Sequence, residues 1–374
     1  MKGSFRLGQF SGINVFIHWT FLLLAGWLLL AFLKYGAEPA QLAWTVLFIL
    51  AVCVCVLLHE AGHAIVASRF GIRARNIVLL PIGGIASIEK FPANPFQELM
   101  ISLAGPVVNL LIALLIWAPA TPHDSFRTLP GNFDVTPWQA FFYLLRIANL
   151  GLALFNLIPA FPMDGGRILR ALLAFRLNYV RATTVAAITS KVIAVALIAG
   201  GILLLNPILA ITGIFVIFSA DSEEYYLRLR SLVQGIKLHE VLMYDFTSLQ
   251  AEMTVQQAAG TLANNHNKYF ILMDGELPIG AVNRLEIIKA IAEMRYTQPL
   301  RDLLKEELES LDGSQDVQDV LEKLARDEER IYPVMDQGRF AGIVTLDHII
   351  EYLLLHRADS KDFGRLKSLV GLMH

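Results

Sequence analysis

His59, Glu60 and His63 form an H-E-x-x-H pattern in this chain of 374 residues. On a helix, residues four apart lie one turn above each other, so both imidazoles face the same way and can share a metal ion. Imidazole nitrogens suit Zn2+, and a catalytic zinc keeps one coordination position open for water, within reach of Glu60. The pattern closes an apolar run that begins near Leu42. Titratable groups inside a membrane-length apolar segment are costly to bury, and their default reading is functional. A second polar constellation follows far along the chain. Asn156 and Asp164 flank Pro159 and Pro162 and precede Gly165-Gly166, so both are expected on irregular backbone where a helix breaks. Cys53 and Cys55 are the only cysteines. Two residues apart on one helix they point away from each other, and they read as packing residues.

These residues need elements to hold them, and composition says what kind. The chain is 55% hydrophobic and 17% charged, with a mean hydropathy of +0.53. The apolar runs stop near Ala220, and the remainder reads as a charged soluble protein. Spans are expected at about 15–33, 42–67, 98–117, from 138, 184–205 and, shorter, 207–220. Residues 3–18 read as a strand pair at the membrane surface. Residues 72–88 read as two strands around a glycine turn, a re-entrant hairpin beside the site. Such backbone is tolerated at membrane depth only where protein buries it or it lines a cavity. Asn109 in the third span needs a partner in hydrocarbon, and Arg146 in the fourth must either snorkel outward or pair internally.

Lys2, Arg6, Arg69, Arg73, Arg75, Lys90, Arg167, Arg170, Arg176 and Arg181 all fall on links of one side, against Lys34 and Arg127 on the other. Both termini and the ends of the spans carrying His59, His63 and Asp164 are therefore expected to face the cytoplasm of a multi-pass cell-membrane protein. A net charge of −2 points to no nucleic-acid partner.

The soluble part repeats itself. A shift of 62 residues, as from Leu238 to Leu300, also aligns Val255 with Val317, Met273-Asp274 with Met335-Asp336, and Gly280 with Gly342. Each copy reads helix, strand, turn, strand, helix. This layout resembles a tandem pair of cystathionine-β-synthase (CBS) domains, modules that often bind adenosine nucleotides. The resemblance implies ATP or AMP as a ligand, with Thr345 at the family's Ser/Thr position. The first copy has Asn283 there, and the family's ribose-binding aspartate is replaced by Glu286 and His348. A homodimer or higher homo-oligomer through the pair is the structural alternative.

His59-Glu60-x-x-His63 followed by Asn156-x-x-Pro159-x-x-Pro162-x-Asp164-Gly165 resembles the site-2 protease family of intramembrane zinc metalloproteases. With the CBS pair, the chain is similar to the prokaryotic subgroup that carries such a module. The resemblance implies one catalytic zinc held by His59, His63 and Asp164, with Glu60 as general base and Asn156 stabilising the oxyanion. The substrate would be a transmembrane client protein held as an added strand on the hairpin.

The expected fold is thus an α-helical polytopic membrane protein of about six transmembrane helices with a short membrane-associated β-hairpin, followed by a soluble α/β tandem CBS pair. Expected boundaries are 1–220 for the protease domain, 221–236 for a linker, 237–294 and 297–356 for the CBS copies, and 357–374 for a tail. The rival class is a CBS-regulated transporter or channel with a metal site. Against it, no inverted repeat relates the first three spans to the last three.

Overall fold

Pro39, Pro95 and Pro137 each sit in the first turn of a long apolar helix, where the missing N–H has no partner to lose. In the computed structural model the described residues are 4–10, 13–20, 38–72, 74–80, 83–88, 94–117, 136–263, 267, 269–304, 310–326 and 331–356, with 23, 26, 30 and 34. They fall into two compact units, Met1–Glu224 and Tyr225–His374.

The first unit contains β1 (Ser4–Phe10), β2 (Ile13–His18), α1 (Pro39–Arg69), β3 (Ala74–Leu80), β4 (Gly83–Ile88), α2 (Pro95–Leu115), α3 (Pro137–Asn156), α4 (Asp164–Ala174), α5 (Tyr179–Leu203) and, as far as Glu224, α6 (Pro207–Leu232). Among the described residues α1, α2, α3 and α5 are long and apolar enough to cross a membrane. The first expected span lies mostly outside the described residues. The segment read as a linker from residue 221 is helical as far as Leu232, because α6 continues without a break.

The two strand pairs form one sheet in the order β1-β2-β3-β4. Its central pairing, β2 with β3, is parallel and matches Asn14 with Asn76. Parallel neighbours need a long crossover, and the chain between His18 and Ala74, α1 included, supplies it. Neither strand pair alone would suggest this.

Helices pack through small residues. Ala64, Ala67, Ala153, Ala171 and Ala182 are buried, and a Cβ on Gly62 of α1 would come within 3.1 Å of the Ala104 carbonyl on α2. Lipid gives no hydrophobic drive between helices, so close backbone approach must supply the contact. Leu50, Val54, Leu114 and Val192 face outward. Arg146 lies against two outward-facing rings: its guanidinium is 4.9 Å from the Trp117 ring centre and 5.4 Å from that of Tyr143. Asn109 is 1% exposed, yet neither of its amide atoms has a hydrogen-bond partner among the described residues.

In the second unit each copy holds a three-stranded sheet, β5-β6-β7 (Thr247–Gln250, Tyr269–Asp274, Leu277–Asn283) and β8-β9-β10 (Leu311–Asp312, Tyr332–Asp336, Arg339–Val344). Helices α7 (Val255–Ala263) and α8 (Arg284–Ala292) belong to the first copy, α9 (Val317–Arg326) and α10 (Leu346–His356) to the second. The leading segments cross over. Leu238 N–H donates to the Gln315 carbonyl and Met243 pairs with Ile343, while Leu300 N–H donates to the Met253 carbonyl. Each copy is therefore completed by residues that precede the other in sequence. Ile271 and Met273 share one core cluster with Ile331 and Ile343.

Candidate metal centre

The last turns of α1 present His59 and His63 on one face, as four-residue spacing demands. Their Nε2 atoms are 3.2 Å apart. Asp164, the first residue of α4, completes a triangle, with Oδ2 lying 3.2 Å from each Nε2. The three donor atoms are the described residues' candidate metal cluster. His59 and His63 are 6% and 7% exposed, and Glu60 beside them 7%.

Asn156 and Asp164 do not lie on irregular backbone. They are the last residue of α3 and the first of α4, and they bracket the broken stretch between. Gly165 and Gly166 make this join compact: a Cβ on Gly165 would collide with the Ile158 carbonyl, and one on Gly166 would come within 2.7 Å of the Ala160 carbonyl carbon. Helix α4 can thus begin directly against the preceding chain, and Asp164 is held at its first turn. Among the described residues no hydrogen bond joins Asn156, which is half-buried, to the triangle.

Hydrogen bonding orients the ligand set. His63 Nδ1 lies 2.7 Å from the Ile101 carbonyl, so that nitrogen carries the proton and Nε2 presents a lone pair. Asp164 Oδ2 is buried and, apart from the two imidazole nitrogens, has no polar partner among the described residues. Lone pairs of an imidazole and a carboxylate converging at this distance repel unless a cation lies among them. Two imidazoles and one carboxylate are a zinc donor set, and ligands about 2.0–2.1 Å from a tetrahedral ion lie about 3.3–3.4 Å from one another. The observed triangle matches such a face and leaves the fourth position open.

Helix α2 forms the floor of this centre, which the motif alone does not reveal. A Cβ built on Gly105 would strike His63 Nε2 and come within 2.6 Å of His59 Nε2. Glu98, Ile101, Ser102, Gly105 and Asn109 are buried along one side of α2. The spacing of these polar and small residues within an apolar helix was the available sequence signal.

In the second unit, Thr345 Oγ1 accepts from His348 N–H at 3.1 Å, and Asn283 Oδ1 accepts from Leu285 N–H at 2.8 Å. The two equivalent repeat positions therefore cap the last helix of each copy.

Residues 47–200 match peptidase family M50, and residues 300–355 match the CBS domain. A zinc metalloprotease of Methanocaldococcus jannaschii is 31% identical over 353 residues, 94% of this chain and 96% of that protein. Stage IV sporulation protein FB of Bacillus subtilis is 30% identical over 135 residues, 36% of this chain and 43% of its own. The solved site-2 protease from Methanocaldococcus jannaschii is 37% identical and covers 59% of this chain and 95% of its own, with a TM-score of 0.44. The archaeal metalloprotease is matched over nearly the whole length of both proteins. The chain belongs to peptidase family M50, the site-2 proteases, and is a membrane zinc metalloprotease with a CBS domain.

Proposed function

We propose that this protein hydrolyses peptide bonds within or near the membrane-spanning segments of client proteins, with His59, His63 and Asp164 holding the zinc and Glu60 acting as general base. The observation that carries this reading is the 3.2 Å triangle of buried donor atoms, built from two separate segments. A zinc ion held by these three residues would supply a Lewis acid for the scissile carbonyl and would lower the pKa of water to about 7. Glu60, next in the chain to His59, accepts the proton from the attacking water and returns it to the leaving amine. The Ile101 carbonyl keeps His63 in one tautomer and ring orientation. The Asn156 carboxamide donates to the oxyanion that develops on the substrate carbonyl.

A helical substrate hides its carbonyls in its own hydrogen bonds and must be unwound locally. Strand β4 pairs only with β3 among the described strands. Its other edge, unpaired among the described strands, would take an extended segment by strand addition, which exposes alternate carbonyls. The proposed frame is a six-span domain over residues 1–220, with the zinc end and both termini in the cytoplasm. The CBS copies at 237–294 and 297–356 would serve as an ATP- or AMP-responsive or dimerising module.

Proteoliposomes containing the purified protein and one single-span client decide the function. Fragments ending within or near the span, dependent on zinc, are expected. Intact client together with cation flux would instead establish the transporter reading. Calorimetry on the full chain is expected to give heat with ATP or AMP at cellular concentrations. Silence with both nucleotides, with dimers in solution, would leave the pair a dimerising module.

A further inference from the structure

Arg170 is the largest fully buried side chain among the described residues, at 1% exposure. It lies on α4, the helix that begins with Asp164. Its Nε and Nη2 donate to Glu98 Oε1 at 2.8 and 2.5 Å, and its Nη1 donates to Glu223 Oε1 at 2.5 Å. Tyr179 donates its hydroxyl to the other Glu98 oxygen at 2.5 Å. The guanidinium also lies 5.2 Å from the ring centre of Phe161, in the broken stretch that leads into Asp164. Phe161 N–H in turn donates to Ser190 Oγ at 2.9 Å.

Glu98 occupies the first turn of α2. One turn on, that helix offers the Ile101 carbonyl to His63, and a turn further Gly105 lies against both imidazoles. The Arg170–Glu98 fork therefore ties the helix that starts with Asp164 to the helix that seats the histidines. Burying an ion pair costs desolvation that its attraction does not reliably recover, so stability is a poor reason for one here. Fixing register is the best-attested use of such pairs. Register matters at this centre because a zinc site tolerates displacements of only about 0.2 Å in its ligands.

We infer that Arg170 and Glu98 are positioning residues that set α4 against α2 and so hold the Asp164 carboxylate at the right distance from His59 and His63. The inference rests on the ligand assignment proposed above. Neither residue belongs to the donor triangle of His59, His63 and Asp164. Arg170 acts through the start of α4, and Glu98 through α2. Glu223 grips the same guanidinium from α6, which carries no ligand.

Full-length protein in detergent, stripped of metal, is titrated with zinc against a chromophoric chelator and with Co2+ by visible absorption. Glu98→Gln is expected to weaken zinc binding by about 10–100-fold and to alter the Co2+ bands, as loss of an outer supporting contact does. Glu223→Gln removes a comparable carboxylate charge and is expected to have a much smaller effect. Arg170→Lys keeps the charge but loses the fork, and should fall between them. Wild-type zinc affinity and Co2+ spectrum in folded Glu98→Gln would overturn the inference, as would equal losses from Glu98→Gln and Glu223→Gln. If Glu98→Gln does not purify folded, Tyr179→Phe frees the second Glu98 oxygen and must shift affinity in the same direction; no shift there overturns the inference. Asp164→Ala run in parallel separates the two levels. If it binds zinc normally the ligand assignment fails, whereas if it loses zinc while Glu98→Gln does not, only the positioning role fails.

Discussion

Glu60→Gln is expected to lower client cleavage by about 10²–10⁴-fold, the range a positioned general base supplies, while zinc stays bound at wild-type stoichiometry. The carboxylate is 7% exposed and adjacent in sequence to His59, and glutamine matches its shape, so helix packing should not change. What is lost is the acceptor for the water proton, and with it the donor to the leaving amine. Metal analysis of the purified variant beside cleavage in proteoliposomes separates this role from ligation. Loss of zinc together with activity would make Glu60 structural, and unchanged cleavage would remove it from the mechanism.

Gly105→Ala is the second large effect. The added methyl carbon would lie within 2.6 Å of His59 Nε2 and closer still to His63 Nε2. Neither imidazole can retreat far, because His63 Nδ1 is held by the Ile101 carbonyl and both rings are rooted on α1. The helices must part, and a shift of about 1 Å at reacting groups can cost about 10²-fold in rate. We expect at least that loss of cleavage, accompanied by weaker zinc binding, from the addition of one methyl group. Gly151 is the matched control, since a Cβ there meets nothing within 4 Å. Gly151→Ala should keep both zinc and activity. Equal behaviour of the two variants would show that the approach of α2 to the imidazoles has no functional weight.

The chemistry was legible wherever it was written in local spacing. A step of four residues from one histidine to the next on a helix fixes a shared face whatever the surroundings, so the pair could be read without coordinates. The repeat of 62 residues was equally plain, because two copies of one unit must bury the same positions. Spacing does not carry what depends on neighbours distant in sequence. The parallel β2–β3 pairing joins strands separated by a whole helix, and the crossed leading segments of the two CBS copies trade places between similar sequences. Asn156 and Asp164 were expected on broken chain because prolines and glycines surround them. The break lies between them, and each sits at a helix end.

Residue identity at short range was enough for the candidate donor types, the apolar character of the first unit and the repeat of the second. Only the tertiary structure decided that Asp164 meets the two imidazoles, that Gly105 leaves room for them, and that Arg170 turns inward to Glu98. Those three facts depend on where α2 and α4 lie in space, and packing between helices distant in sequence sets that.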